Sequence, residues 1–402
     1  MFANILFYVG LFLSLGIGIL YFRDLGDVTQ MVLRVKRENM LRFIRYEYQY
    51  AAVGLAGLVL MLIGHFMGGG PQWLFFMGLP VIAILILILY AFPWIWVHVG
   101  LRNQKDKAKY FSVDEAWEWL SPTSQVLVIQ NDDSVRAHPD AYLMRPHLAG
   151  DDDGLGGEPV IMTYCAMANL GLAYKTEVDG KKTDLEVLAQ HGNNLILRDN
   201  ETGAPIQQVT GKVEGSESVM TPWPTFRMTF RGLAKAFPDA QVFINPPSKN
   251  PILRLFDYVI QTVFASEIAR QHTVRDPIIA NMTREPDTRL HNKTYVWGVE
   301  IAGDAVCWTD DFVVAHGGAV NARVGGTALV VAWDPIYESL GVFYNTTGAP
   351  VASVDVFGKS DSGKVLPRFE GLRPGLFWHV WSEFFPGTDI NRIGERSEAE
   401  AA

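Results

Sequence analysis

The chain has 402 residues, 49% of them hydrophobic and 19% charged, and carries a net charge of -9 at pH 7. That length accommodates a membrane anchor and a soluble part of one or two domains. The acidic balance, with no long basic run outside the segments flanking the apolar stretches, excludes nucleic acid as the main partner, because neutralising phosphates needs clustered Lys and Arg.

Apolarity is concentrated at the N-terminus. No Asp, Glu, Lys or Arg occurs from Met1 to Phe22, and none again from Tyr48 to Leu101. A helix crosses the hydrocarbon core with about 20 apolar residues, and residues 1–22 meet that length as a first span. The segment lacks the basic start and small-residue cleavage site of a signal peptide, so it is expected to be retained. Residues 51–100 form a helical hairpin of two further spans, Ala51–Met67 and Trp73–Phe92, turned at Gly68, Gly69, Gly70 and Pro71. Trp94 and Trp96 suit an interfacial aromatic belt. The connector 23–50 mixes basic and apolar positions like a helix lying on a membrane surface. Its Arg23, Arg34, Lys36, Arg37, Arg42 and Arg45 and the later Arg102, Lys105, Lys107 and Lys109 fall on one side of a three-span topology. The positive-inside rule then places the protein in the cell (inner) membrane, multi-pass, with a cytoplasmic body.

The body reads as two β-rich repeats, 121–245 and 291–390. His147–Tyr174 (HLAGDDDGLGGEPVIMTYCAMANLGLAY) has a counterpart in His316–Tyr344 (HGGAVNARVGGTALVVAWDPIYESLGVFY). At one offset His147 matches His316, Gly156 and Gly157 match Gly325 and Gly326, and Cys165 matches Asp334. We read an internal duplication. Short runs of Val, Ile, Thr and aromatics end in hairpin turns at Val178–Gly180, Asp199–Gly203 and Asn345–Gly348, which indicates a β-sandwich or β-barrel-like module in each half. Residues 246–290 hold a connecting helix over Asn250–Gln271, and 391–402 are a polar tail. The fold class is thus membrane-anchored and mainly β.

The chemistry-bearing candidates are His147, Cys165 and His316. A thiolate with two imidazoles suits copper or zinc, with Met162 or Met167 as a weak axial ligand and Asp334 as the second-copy counterpart of the thiol. The competing reading makes Cys165 a small buried hydrophobe and each histidine a turn-fixing residue. His138 and Cys307 are expected to pack in the core. Asp151-Asp152-Asp153 lacks the spaced ligands of a calcium loop and reads as a solvated turn. Gly156, Gly157, Gly325 and Gly326 lack nucleotide-loop spacing and read as structural turns with positive φ.

Residues Ser121–Ile390 resemble the prokaryotic domain of unknown function 3179. The family pattern H-E-x-V-N-D-x-x-G-G-x-P-V-x-V-T-Y-C-P-L stands here as His147, Gly156-Gly157-Glu158-Pro159-Val160 and Thr163-Tyr164-Cys165. Its D-x-R-L-x-x-K-x-x-V-x-G-V joint stands as Asp287–Val299, and its D-x-x-T-G and T-x-W elements as Asp199–Gly203 and Thr221–Trp223. Leu148 replaces the family Glu, and Ala166-Met167 replace Pro-Leu. The resemblance implies an architecture without an activity. Many members have exported or lipid-anchored N-termini, which implies an extracytoplasmic body as the alternative placement. Two functional readings follow. The first is a non-enzymatic membrane-anchored binding or assembly module whose partners are the lipid bilayer and a membrane protein or second copy. The second is a membrane-bound metal or redox enzyme using Cys165 and His147.

Overall fold

The computed structural model describes residues 1–25, 35–71, 73, 78–95, 97–98, 109–151, 153–246, 249–259, 262 and 282–393. Trp96, residues 99–108, most of the predicted connecting helix and the polar tail beyond 393 therefore lie outside the described residues, as does Asp152. The chain divides into a helical unit within residues 1–102 and a β-rich unit that carries the strands.

The helical unit consists of α1 (Phe2–Leu25), α2 (Arg37–Arg45), α3 (Glu47–Phe66) and α4 (Gly78–Trp94). Of these, α1 and α3 are long and apolar enough to cross a membrane. The third expected span is shorter: α4 covers 17 residues, about 26 Å at 1.5 Å per residue, against a hydrocarbon core of roughly 30 Å. The basic connector does form a helix in part, with Met40, Phe43 and Ile44 of α2 buried.

Packing within this unit is carried by small residues. Gly10, Ser14 and Gly18 repeat every fourth position along the buried face of α1. A β-carbon at Gly10 would stand 2.3 Å from the Met61 nitrogen, and one at Gly64 would stand 2.4 Å from the Phe7 nitrogen. The Ser14 hydroxyl donates to the Gly10 carbonyl (2.8 Å) and to the Gly54 carbonyl (3.1 Å) across the helix pair. Phe7, Tyr21 and Met61 are buried beside them, while other large apolar side chains point outward: Phe12 is 72% exposed and Phe66 is 74% exposed.

The β-rich unit opens with β1 (Tyr110–Ser112), α5 (Val113–Ala116), and the hairpin β2 (Gln125–Asn131) and β3 (Ser134–Pro139). Next come β4 (Leu148–Ala149), β5 (Val160–Cys165), β6 (Leu170–Lys175), β7 (Glu177–Val178), β8 (Lys181–Lys182), β9 (Leu185–His191), β10 (Asn194–Asp199), β11 (Pro205–Gln207) and β12 (Pro222–Trp223). Then β13 (Thr225–Thr229), α6 (Phe230–Ala236) and β14 (Gln241–Phe243) complete the first half, and α7 (Pro251–Tyr258) follows. The second half contains β15 (Tyr295–Ile301), β16 (Asp304–Trp308), α8 (Asp310–Ala315), β17 (Ala319–Val324), β18 (Thr327–Asp334) and β19 (Ser339–Tyr344). It ends with β20 (Arg373–Phe377), α9 (Trp378–Phe384) and β21 (Asp389–Asn391).

An eight-stranded sheet runs β1-β14-β3-β2-β13-β19-β18-β17. Its first five strands come from the first half and its last three from the second. This corrects the expectation of a separate sandwich or barrel in each half. The seam is the pairing of β13 with β19, where Arg227 opposes Leu340. A local sequence pattern specifies a strand's faces but not its distant neighbour. Two four-stranded sheets, β12-β6-β5-β4 and β20-β15-β16-β21, flank it. In both halves a hairpin is joined edgewise by a strand that returns from a short helix and pairs in parallel: β14 with β3, and β21 with β16.

The main core gathers β5, β6, β9 and β10 with the second half's Phe377, Trp378 and Trp381. Trp308, Trp378 and Trp381 are among its largest fully buried side chains or those of the adjoining core. Both glycine pairs have positive φ, 57° and 85° at Gly156 and Gly157, 52° and 79° at Gly325 and Gly326. The second pair closes the two-residue hairpin between β17 and β18, where the twist of the strands demands left-handed residues.

Candidate functional site

Strand β5 carries the Thr-Tyr-Cys element and is buried along its whole length. Successive side chains on a strand face opposite ways, so Tyr164 and Cys165 enter different neighbourhoods.

Tyr164 joins a polar cluster near the β13–β19 seam. Its hydroxyl donates to Asn169 Oδ1 (3.2 Å), and Asn169 Nδ2 donates to the Gly375 carbonyl of β20 (2.8 Å). Arg227, from the middle of β13, donates to the Asn169 carbonyl (3.1 Å) and pairs with Asp140. The other Asp140 oxygen, Oδ1, is buried and among the described residues has no hydrogen-bond partner. Burial raises the Asp140 pKa against the pull of Arg227, and burial followed by Asp140 raises Tyr164 well above its ordinary value. Tyr295 of β15 is coupled to the same Arg227 and Asp140. Sequence reasoning missed this cluster, although a lone arginine inside the apolar run FRMTF was its signal.

Cys165 sits on the core side, 1% exposed, and its thiol donates to the Asn193 carbonyl at 3.5 Å. Lys293, from the family's D-x-R-L-x-x-K element, lies in the same neighbourhood. Its ammonium is 4.3 Å from the centre of the Phe377 ring, and the Phe377 amide bonds to the Ala168 carbonyl in the turn after Cys165. Lys293 is buried and among the described residues has no carboxylate partner. Burial lowers it to about 8, opposed by the nearby Cys165. Two family elements 128 positions apart thus meet, and the lysine was not singled out from the sequence.

The other candidates are placed apart. The His147 ring Nδ1 is 3.1 Å from the Tyr164 carbonyl and also engages the Leu143 carbonyl, and burial lowers its pKa to about 4. His316 lies exposed at the end of α8, donating to the Phe312 carbonyl (2.8 Å) and stacked on the Phe312 ring at 3.9 Å. Met162 is fully buried and Met167 packs beside the main core. Asp334 organises a turn by accepting from the Ile336 amide (2.8 Å), the Tyr337 amide (3.3 Å) and the Val356 amide (2.8 Å). Among the described residues no three His, Cys, Asp or Glu side chains gather closely enough to hold a metal ion. The expected His147–Cys165–His316 set is therefore not assembled, because the first is held to main-chain carbonyls and the last points to solvent.

His138 and Cys307 are fully buried. His138 contacts the Tyr110 hydroxyl (3.1 Å), and burial pushes the Cys307 thiol up. Asp151 is not simply solvated: both its oxygens receive Arg136 at 2.9 Å.

A separate cleft of about 310 Å³ is lined from both halves. Leu172, Tyr174 and Met220 come from the first half, and Tyr344, Glu370 and Arg373 from the second. Arg373 Nε donates to the Val209 carbonyl (3.1 Å), and the Tyr344 hydroxyl reaches both Glu370 oxygens at 2.9 Å. A larger groove of about 1030 Å³ is lined in part by the β7–β8 hairpin.

Comparison with curated proteins and with solved structures found no match. A family model described as Protein of unknown function (DUF3179) matches residues 92–388, which takes in the Thr-Tyr-Cys strand, Lys293, the Arg227 cluster and the cleft. The chain belongs to the DUF3179 family of proteins of unknown function.

Proposed function

We propose that this protein is a membrane-anchored binding module whose β-rich body holds a small ligand between two related halves. The observation that carries the reading is the 310 Å³ cleft lined by strands and loops of both halves. Binding sites are concave, largely apolar and carry a few placed polar groups, and this cleft combines Leu172, Met220 and Phe369 with Arg373 and Glu370. A thermal-denaturation screen of the detergent-purified full chain against small metabolites tests it. At least one compound is expected to raise the transition temperature, and Val219→Trp, which puts an indole into the cleft mouth, should abolish the effect. Equal shifts in both proteins would remove the cleft from the reading.

The anchor rests on α1 and α3, whose glycines and Ser14 face inward among a few large residues while many large apolar side chains face outward. That inversion suits lipid as the surrounding solvent, since helix pairs in bilayers associate through small residues. The lipid bilayer is the first partner, and the flanking charges favour a cytoplasmic body in a multi-pass arrangement. Resistance of the protein to alkaline extraction from membranes, and a reporter fused at the C-terminus, check each part. Common descent of the halves is supported by the recurring hairpin, return helix and parallel edge strand.

A second reading, an enzyme acting through Cys165, is favoured by one observation: Lys293, lowered to about 8, stands beside that thiol. Metal analysis of wild type against Cys165→Ser tests its copper or zinc form. A metal retained in both, or absent from both, would exclude Cys165 as a ligand.

A further inference from the structure

The cleft contains two opposite charges that do not neutralise each other. Arg373 and Glu370 are three residues apart and line the same space. Among the described residues Arg373 has no carboxylate in ion-pair contact, and Glu370 has no cation. Each is instead fixed by neutral neighbours, Arg373 by the Val209 and Gly371 carbonyls and Glu370 by the Tyr344 hydroxyl. Both charges are half-buried, and Arg373 feels Glu300 only at a distance without an ion-pair contact, so a site that holds both signs apart is complementary to a ligand that brings both. Glu300 lies in the same lining with its Oε1 accepting from the Gly303 amide at 2.7 Å. With it the cleft holds one guanidinium and two carboxylates, so a plain organic acid meets excess negative charge. Much of the remaining lining is apolar, with Val219 exposed and Ile301 and Pro222 half-buried over a buried floor of Leu172, Met220 and Phe369. The volume of about 310 Å³ falls at the small end of ligand pockets, roughly 300–1,000 Å³.

We propose that the cleft binds a free apolar α-amino acid, its carboxylate on Arg373, its ammonium on Glu370 and its side chain against Val219, Ile301 and Pro222. This rests on the reading of the protein as a binding module and adds the class of ligand. The charged groups supply orientation, and the apolar wall supplies most of the burial. The tyrosines at the two ends have separate duties. Tyr344 holds the Glu370 carboxylate in place, and the Tyr174 hydroxyl is spent on the Gln208 carbonyl. The ammonium therefore meets a carboxylate that is already oriented.

The test is calorimetric titration of the detergent-purified full chain with L-leucine, with 4-methylpentanoate, which lacks the amine, and with 3-methylbutylamine, which lacks the carboxylate. Leucine is expected to bind about tenfold or more tightly than either, the loss of one charge-assisted contact in each analogue. Arg373→Gln should erase the preference over the amine, and Glu370→Gln the preference over the acid. Unchanged transition temperatures of the two variants verify that they fold. Equal binding of leucine and either analogue, or selectivity unaltered by the variants, overturns the zwitterion assignment while leaving a binding module standing. No heat from any of the three overturns it as well. The broader reading fails on its own evidence, when the metabolite screen gives no shift that Val219→Trp removes.

Discussion

His147 provides the most quantitative test of the structure. The residue invites a metal reading, yet its ring is held by the Tyr164 and Leu143 carbonyls and burial lowers it from 6.5 to about 4. The unfolded chain therefore binds the proton more tightly between about pH 4 and 6.5, and stability is lost as pH falls through that window. At about 1.4 kcal/mol per pH unit, the full loss is roughly 3 kcal/mol. His147→Asn keeps a short donor but cannot titrate. At pH 7 it should cost about 1 kcal/mol, one hydrogen bond imperfectly replaced. Wild type falls by that same amount near pH 5.8, so the two stability curves should cross between roughly pH 5.5 and 6. Urea titrations followed by tryptophan fluorescence at pH 7, 6, 5 and 4.5 read this, because Trp308, Trp378 and Trp381 are buried in the β-rich unit. His138, also lowered by burial to about 3, titrates in both proteins and cancels in the difference. Parallel curves that never cross would refute the picture of a buried, neutral clamp.

Lys293→Met should stabilise the protein at pH 7 by roughly 1–2 kcal/mol, the relief of a desolvated charge less the ring contact with Phe377. Because the folded value is lowered to about 8, that advantage is full below pH 8 and should vanish as pH rises towards 10.5. Gly10→Val forces a side chain against the Met61 nitrogen, 2.3 Å from the β-carbon position, and should cost about 1–3 kcal/mol or more in helix pairing; the monodisperse fraction in detergent measures it. Native protein should resist iodoacetamide at both cysteines, since Cys165 is 1% exposed and Cys307 fully buried. Rapid labelling of either before unfolding would contradict the placement of its strand.

Local features were legible where local physics decides them. The charge-free runs mark α1 and α3 because a buried charge in such a segment is expensive, and the glycine pairs mark turns because only left-handed residues close them. What escaped was non-local. The sharing of one sheet by both halves depends on the meeting of Arg227 with Leu340, 113 positions apart in sequence, and no periodicity encodes that partner. His316 shows the opposite error. A constant sequence offset aligns it with His147, yet one ring is buried against main-chain carbonyls while the other stacks on Phe312 in solvent. Lys293 was on the page within a family element, but its significance required knowing that Phe377 and Cys165 surround it.

Cys165 and Asp334 occupy equivalent ends of β5 and β18, paired across their hairpins with Leu170 and Ser339. In the second half the carboxylate satisfies three backbone amides of the following turn and the later Val356 segment. A thiol at that place could not, being a weak acceptor. In the first half the thiol faces a core that also encloses Lys293, and a carboxylate there would form a buried ion pair with it. Cys165 of the first half therefore faces an unneutralised lysine contributed by the second half, whereas Asp334 holds a structural turn. On the proposed common descent, that difference separates a scaffold position from a chemical one. It makes Cys165→Asp the most informative exchange between the halves: it should pair with Lys293, raise its pKa above 8, and silence any chemistry that depends on a neutral amine.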